Sequence, residues 1–151
     1  MTIAMHHRTT VLEKKFDVSV DQVFAVWAEV EKRSLWNSPS DDVTIRYVED
    51  DFSIGGKDVS LCLVGDQIVA DVVGVYHDIV DNQRIIYTEI IKSDDMLLGT
   101  SQVSVSFASS DGGTEMIVTL QTCAVAGADV LDEVAAGWTA SMAKMQDVLA
   151  G

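Results

Sequence analysis

The segment ADVLDEVAAGWTASMAKMQDVLAG, residues 128–151, decides the fold because it has the pattern of one long amphipathic helix. At 3.6 residues per turn, its larger apolar side chains fall on one arc roughly 100° wide. The members of this arc are Leu131, Val134, Ala135, Trp138, Met142, Met145 and Leu149. Asp129 and Asp132 lie in the first turn, where the helix dipole favours negative charge. A helix of this kind is roughly 30 Å long, so its apolar stripe needs a partner surface of similar length.

The rest of the chain predicts that partner surface as a sheet. From Val43 onward the apolar residues recur with a period of two, which is typical of strands. Six segments are predicted to be strands: 43–48, 58–64, 68–78, 84–91, 102–107 and 116–122. Turn signals such as Gly55-Gly56 and Asp111-Gly112-Gly113 separate them, and connections this short join antiparallel neighbours.

The first 40 residues predict one further strand and one or two short helices. The strand covers 9–18, and a helix begins after it, because Ser19 and Gln22 have the spacing of a capping box. A second short turn or helix ends at Trp36, before Pro39, the only proline. The sequence therefore predicts an α+β fold in which a curved seven-stranded antiparallel sheet wraps around the long C-terminal helix.

Composition narrows the classes of function. The chain has 151 residues, 48% of them hydrophobic, which suits one domain over 9–151 after a flexible segment over 1–8. Cys62 and Cys123 have no metal or redox spacing, so reduced thiols are expected. The net charge of −14 argues against nucleic acid and anionic membranes as partners. Neither a bilayer-spanning run nor a signal-peptide core occurs, which predicts a cytoplasmic protein.

Five strings in the right order resemble the SRPBCC superfamily of START and pollen-allergen-like helix-grip domains. Within it, the chain is most similar to the branch named after the activator of Hsp90 ATPase homologues. The strings are VDQVFAVWAEVEKRSLW at 20–36, DFSIGG at 51–56, GVYHDIVDNQRIIYT at 74–88, GGTEMIVTL at 112–120, and Gly137-Trp138. Asp78 replaces the usual Glu, and Asp81-Asn82-Gln83 replaces a proline-containing turn. The resemblance implies a hydrophobic cavity between the long helix and the concave face of the sheet.

Three functions follow as alternatives. The preferred one is binding of a small apolar molecule in a cavity walled by Trp36, Tyr47, Tyr87, Trp138 and Met142. The second is an enzyme of the cyclase, dehydratase or hydrolase kind seen in the superfamily. The third is a stress-response or co-chaperone-like module that binds a protein partner, and a homodimer also stays open. No nucleophile elbow, phosphate loop, dinucleotide fingerprint or zinc motif occurs, so we expect no metal or cofactor, and binding is favoured over catalysis.

Glu89 and His77 are the candidate acid–base residues for the enzyme alternative. If Tyr87 points into the fold then Glu89 does too, because side chains on a strand alternate between its faces. A carboxyl group buried in an apolar pocket has a raised pKa and can exchange protons near neutral pH. The simpler interpretations are that Glu89 is solvated or paired with Arg or Lys, and that His77 is a surface residue. The pattern alone does not decide which face holds Arg46, His77 and Glu89.

Overall fold

A computed structural model describes residues 4–151 as one curved sheet with three helices. The order of elements is β1 (His6–Phe16), α1 (Val20–Ala28), α2 (Val30–Trp36), β2 (Thr44–Glu49), β3 (Lys57–Val64), β4 (Gln67–Val80), β5 (Arg84–Ser93), β6 (Met96–Ser110), β7 (Gly113–Ala124) and α3 (Asp129–Ala150). The seven strands have the order β1-β7-β6-β5-β4-β3-β2, and every neighbouring pair is antiparallel. This is the predicted helix-grip architecture.

Helix α3 buries the arc that its sequence pattern predicts. Leu131, Trp138, Met142 and Met145 are buried against the sheet and the short helices, whereas Ala136 on the opposite side is exposed. The sheet supplies the matching surface with side chains that are less than 2% exposed: Ile85, Val103, Val105, Met116, Val118 and Leu120. The predicted clasp of helix and sheet is therefore confirmed, and it holds most of the core.

Helices α1 and α2 close one end of the sheet with an aromatic cluster. The ring of Trp27 lies 4.7 Å from that of Trp36 and 6.1 Å from that of Trp138, measured between centroids. At the start of α1, the Ser19 backbone N–H donates to the Gln22 side-chain oxygen at 3.3 Å, as the capping-box spacing predicts. Trp36 also donates its indole N–H to the Val26 carbonyl at 2.7 Å, which ties α2 to α1.

The hairpin between β5 and β6 differs from the sequence prediction. Strand β6 begins at Met96 rather than at residue 102, because Asp94 and Asp95 form a tight turn with φ of 50° and 62°. Both residues need positive φ in a two-residue hairpin turn, and the short polar side chain of Asp tolerates that conformation. Strand β5 therefore also continues, as far as Ser93.

Strand β1 begins at His6, three residues before the predicted start. Residues 6–8 belong to the segment that was predicted to be flexible, but they pair with β7, and His6 lies opposite Ala124. The extension covers the edge of β7, whose backbone groups would otherwise lack partners. Arg8 in this extension also forms an ion pair of 2.8 Å with Asp132 of α3. Residues 1–3 of the predicted flexible segment lie outside the described part of the chain.

Between residues 4 and 151 no helix combines the length and the apolar character that a bilayer crossing requires.

Candidate functional site

A cavity of about 230 Å³ lies between α3 and the concave face of the sheet. We call it the α3 cavity. Its sheet side is lined by Ile45, Ser60, Cys62, Ala70, Val72, Glu89, Ile91 and Leu98. Its helix side is lined by Val130, Glu133, Val134, Gly137, Trp138 and Ser141, with Asn37 and Pro39 at the end near α2. Most of this wall is apolar.

The spacing of the lining residues explains why they face one space. Ser60 and Cys62 on β3, Ala70 and Val72 on β4, and Glu89 and Ile91 on β5 are each two residues apart. They therefore share the concave face. Val130, Val134 and Trp138 recur every four residues and so form one stripe along α3. Two regular elements thus present continuous walls to each other.

Gly137 lets the chain after α2 approach α3 closely. A Cβ atom placed on Gly137 would lie 3.2 Å from the Pro39 Cβ, tighter than an ordinary contact. Ser141 continues this junction, since its hydroxyl donates to the Ser38 carbonyl at 3.1 Å. Lys144 is half-buried and donates to the Ser38 hydroxyl at 3.0 Å. These contacts close the α2 end of the cavity.

Glu89 is the charged residue on the sheet side of this wall. It is half-buried, and within residues 4–151 no Lys, Arg or His forms an ion pair with its carboxylate. Burial raises the pKa of Glu89 to about 7, the charge of Asp58 acts in the same direction, and hydrogen bonding from the Trp138 side chain opposes them. The group therefore changes charge near neutral pH inside an apolar space.

Beyond Glu89 the α3 cavity leads to a narrow polar space of about 20 Å³, which we call the inner recess. The two spaces share Asn37, Ser60, Val72 and Glu89 as wall residues. The rest of the recess wall is Trp27, Arg33, Trp36, Tyr47, Phe52, Asp58, Tyr76 and Tyr87. A volume of this size accommodates about one water molecule or one small polar group.

Arg33 is the central cation of the inner recess and is only 4% exposed. Its Nη1 donates to the Trp27 carbonyl at 2.6 Å, and its Nη2 donates to the Asp50 carboxylate. The guanidinium lies 4.8 Å from the centroid of the Tyr47 ring. Its Nε is 3.7 Å from the Asp58 carboxylate and has no hydrogen-bond partner in the part of the chain that is described. Arg33 is thus held on three sides and keeps one unused donor.

The tyrosines of the recess are held as neutral hydroxyl groups. Tyr76 donates to the Asp58 carboxylate at 2.6 Å, and Asn37 donates its amide N–H to the Tyr47 hydroxyl at 2.6 Å. Burial raises the pKa of Tyr47 to about 12 and raises the pKa of Tyr87 well above its ordinary value. Burial also raises the pKa of Asp58, against the opposing hydrogen bond from Tyr76. These hydroxyls therefore stay protonated across the physiological range of pH.

The residues predicted to line a pocket divide among three places. Trp138 lines the α3 cavity, whereas Trp36, Tyr47 and Tyr87 line the inner recess. Met142 is 1% exposed and packs within the core. It is not among the lining residues of the α3 cavity or the inner recess, so contact between Met142 and a bound molecule stays a prediction.

The structure also separates the two acid–base candidates. Glu89 faces the interior with Tyr87, as the alternation from Tyr87 required. His77 is exposed, and its ring Nε2 lies 2.9 Å from the Thr88 hydroxyl, on the outer face of the sheet. Arg46 is exposed as well, on the same outer side. His77 therefore does not face the α3 cavity or the inner recess, which leaves Glu89 as the acid–base candidate inside the fold.

Sequence reasoning missed Arg33 and its two carboxylate partners. A signal was present, because Val30, Arg33 and Trp36 recur every three residues and share one face of a helix. Asp58 similarly alternates with Ser60 and Cys62 on β3. A charged residue at a core-facing position marks a buried polar network when partners of the opposite sign are available. No group of three or more His, Cys, Asp or Glu side chains in residues 4–151 comes together in a way that could hold a metal ion.

Solved structures with the same fold include three bacterial proteins. A protein from Rhizobium leguminosarum is 24% identical with a TM-score of 0.87, and the match covers 99% of this chain and 98% of that one. The Mll3558 protein from Rhizobium loti is 23% identical with a TM-score of 0.85, covering 96% and 99%. Protein CV1439 from Chromobacterium violaceum is 19% identical with a TM-score of 0.81, covering 93% and 96%. At these identities the likeness shows the fold alone.

Among curated proteins, none matches the chain. A family model does match, over residues 17–150, and its description is Activator of Hsp90 ATPase homolog 1-like protein. The match begins just before α1 and ends at the end of α3, so it includes every residue that lines the α3 cavity. The chain therefore belongs to the Activator of Hsp90 ATPase homolog 1-like protein family, with the SRPBCC type of helix-grip fold.

Proposed function

We propose that this protein binds a small, mainly apolar molecule in the α3 cavity. The observation that carries the proposal is the cavity itself, which separates the N-terminal half of a core helix from the concave face of the sheet. Apolar walls that no side chain covers lack dispersion contacts that a packed interior would make. An apolar occupant recovers those contacts, and its removal from water stabilises the complex further.

The volume sets the size of the ligand. An apolar cavity of about 150 Å³ binds benzene in another protein, and typical pockets for drug-sized molecules begin near 300 Å³. The α3 cavity, at about 230 Å³, lies between them. A single ring with a chain of two or three atoms fits this range. n-Propylbenzene is therefore a suitable neutral probe.

The two cysteines offer an internal comparison for the test. Cys62 lines the α3 cavity, and burial raises the pKa of its thiol. Cys123 lies on β7, opposite His7 of β1, at a groove outside that cavity. A molecule in the α3 cavity covers the first thiol and leaves the second accessible. The proposal therefore predicts selective protection.

The experiment measures the alkylation of both cysteines by iodoacetamide at pH 8.5 with peptide mass spectrometry. Saturating n-propylbenzene should slow the modification of Cys62 severalfold and leave the rate at Cys123 unchanged. Equal rates at Cys62 with and without the probe, together with no heat of binding by calorimetry, would overturn the proposal.

The position of Glu89 favours a second candidate function, general acid–base catalysis on the bound molecule. A carboxyl group with a pKa of about 7 gives and takes protons efficiently near neutral pH. The neutral Tyr87 hydroxyl on the same strand face could donate a hydrogen bond to a substrate carbonyl. Incubation of a small-molecule cell extract with the protein and with Glu89→Gln tests this function. A mass change made by both proteins, or by neither, would contradict it.

A further inference from the structure

The charges that face the α3 cavity are all of one sign. Glu89 lies within the wall and Glu133 lies on the α3 side, and neither Lys nor Arg is among the lining residues of the cavity. At the inner end, Arg33 is already matched by the carboxylates of Asp50 and Asp58. An ionised Glu89 therefore gives the whole site an excess of negative charge. This favours cations over anions inside it.

Glu89 is the less exposed of the two carboxylates in this wall, and within residues 4–151 it has no ion-pair partner. Burying a carboxylate without a cation is costly, and the cost is relieved when a partner of opposite sign arrives. The network around Arg33 does not supply that partner, because no contact within 4 Å joins Arg33 to Glu89 in residues 4–151. A ligand in the α3 cavity approaches Glu89 directly, because Glu89 lines both the cavity and the inner recess.

Trp138 supplies a second contact for the same kind of ligand. It lines the α3 cavity, as Glu89 does. An ammonium group near Glu89 therefore also lies near an indole ring, and tryptophan is the aromatic residue that attracts cations most strongly. Carboxylate and indole together form two sides of an ammonium site at the end of an apolar cavity.

We propose, on the basis of the binding function above, that the natural ligand class is a small apolar amine, whose ring or alkyl body fills the α3 cavity and whose ammonium group pairs with Glu89. A hydrogen bond between charged partners is stronger than a neutral one by an amount that corresponds to about 10-fold or more in affinity. Carboxylic acids of the same size should be rejected, because the ligand and Glu89 would then repel each other.

Three probes of similar size and different charge test whether the cavity prefers a cation, a neutral molecule or an anion. They are 2-phenylethylamine, which is protonated at pH 8, the neutral n-propylbenzene, and phenylacetate. Isothermal titration calorimetry on the full chain at pH 8 should show the amine binding about 10-fold or more tighter than n-propylbenzene. Phenylacetate should bind more weakly than n-propylbenzene.

Two variants complete the test. Glu89→Gln keeps the shape of the side chain and removes its charge, so the advantage of the amine over n-propylbenzene should disappear. Glu13→Gln makes the same chemical change at an exposed position on β1 and should keep that advantage. This control shows whether the loss of one negative charge anywhere on the protein is enough to remove the advantage of the amine.

The outcomes distinguish the two proposals. If n-propylbenzene binds and the amine binds no tighter, or if the amine keeps its advantage in Glu89→Gln, the amine inference is overturned while the binding function stands. If neither n-propylbenzene nor 2-phenylethylamine binds, the binding function itself is overturned. Tight binding of the amine that depends on Glu89 supports both.

Discussion

Replacing Glu89 with Gln should stabilise the protein, and the gain should depend on pH. Burial raises the pKa of Glu89 from its ordinary value of 4.5 to about 7 in the folded protein. Below pH 4.5 the carboxyl group is protonated in both the folded and the unfolded states, so it carries no charge penalty. Between pH 4.5 and 7 the folded state binds more protons, and the free energy of unfolding falls as pH rises.

The size of the effect follows from the two pKa values. The pKa values of the folded and unfolded states differ by about 2.5, and each pKa unit corresponds to about 1.4 kcal/mol. The ionised carboxylate therefore lowers the free energy of unfolding by about 3 kcal/mol once pH exceeds 7. Gln has the shape of the protonated carboxyl group and stays neutral, so Glu89→Gln avoids this cost. The variant should therefore be more stable than the natural sequence by about 1 kcal/mol or less near pH 5, and by about 3 kcal/mol above pH 8. For a domain of this size, the larger gain is about 6 to 12 °C in melting temperature.

Other titratable groups face Glu89, and the comparison has to remove their contribution. They are Arg33 from α2, Tyr47 from β2, Asp58 and Cys62 from β3, Tyr76 from β4, Tyr87 from β5 and Glu133 from α3. Comparing the variant with the natural sequence at each pH cancels most of their effect, since they are present in both proteins.

The assay is urea unfolding of both proteins at half-unit steps between pH 5 and pH 8.5. Glu13→Gln, on the exposed face of β1, serves as the control and should stay within about 0.5 kcal/mol of the natural sequence throughout. A stability difference for Glu89→Gln that is the same at both ends of the range would refute a buried, unpaired carboxylate. A loss of stability above pH 8 would refute it as well.

Three further predictions concern the packing around the cavity. Arg33→Ala leaves two carboxylates without their cation and should cost about 3 to 5 kcal/mol in urea unfolding, whereas Lys32→Ala, at a largely exposed pair, should cost less than about 1 kcal/mol. Ala70→Phe places a ring in the α3 cavity and should abolish n-propylbenzene binding in calorimetry. Val69→Phe, on the outer face of the same strand, should leave that binding intact. If n-propylbenzene binds to Ala70→Phe, the assignment of Ala70 to the cavity wall is contradicted. Met142→Ala should lower the free energy of unfolding by about 2 to 5 kcal/mol, because position 142 is in the packed core, and a cost below about 1 kcal/mol would place it at a cavity instead.

Local sequence patterns were sufficient for most of the architecture. The arc of α3 and the alternation of β5 are periodic over many residues, so each predicts its own buried face without knowledge of its partner. The hairpin at Asp111-Gly112 was equally clear, because glycine tolerates the positive φ that the turn requires. The turn at Asp94-Asp95 contains neither Gly nor Asn, and the start of β6 was therefore placed too late.

The candidate site was less accessible to sequence reasoning, because it depends on residues far apart in the chain. The alternation along β5 placed Tyr87 and Glu89 on one face, but the local sequence did not indicate whether that face points to the interior or to solvent. Arg33 and Asp58 are 25 positions apart, and their proximity follows from how α2 packs against the sheet. Met142 and Trp138 belong to the same apolar arc of α3, yet Trp138 lines the α3 cavity and Met142 lies in the core. Only the tertiary packing around α3 distinguishes the two positions.

The sequence by itself determined the secondary structure, its antiparallel order and the buried stripe of α3, because periodicity and turn chemistry act between near neighbours. Only the tertiary structure decided that α3 stays apart from β3, β4 and β5 over part of its length, leaving Glu89 in the gap without a cation. The physical reason is that helix–sheet separation depends on the summed volumes of side chains from distant segments. Trp27 and Pro39 are examples, since they contact α3 at Trp138 and Gly137.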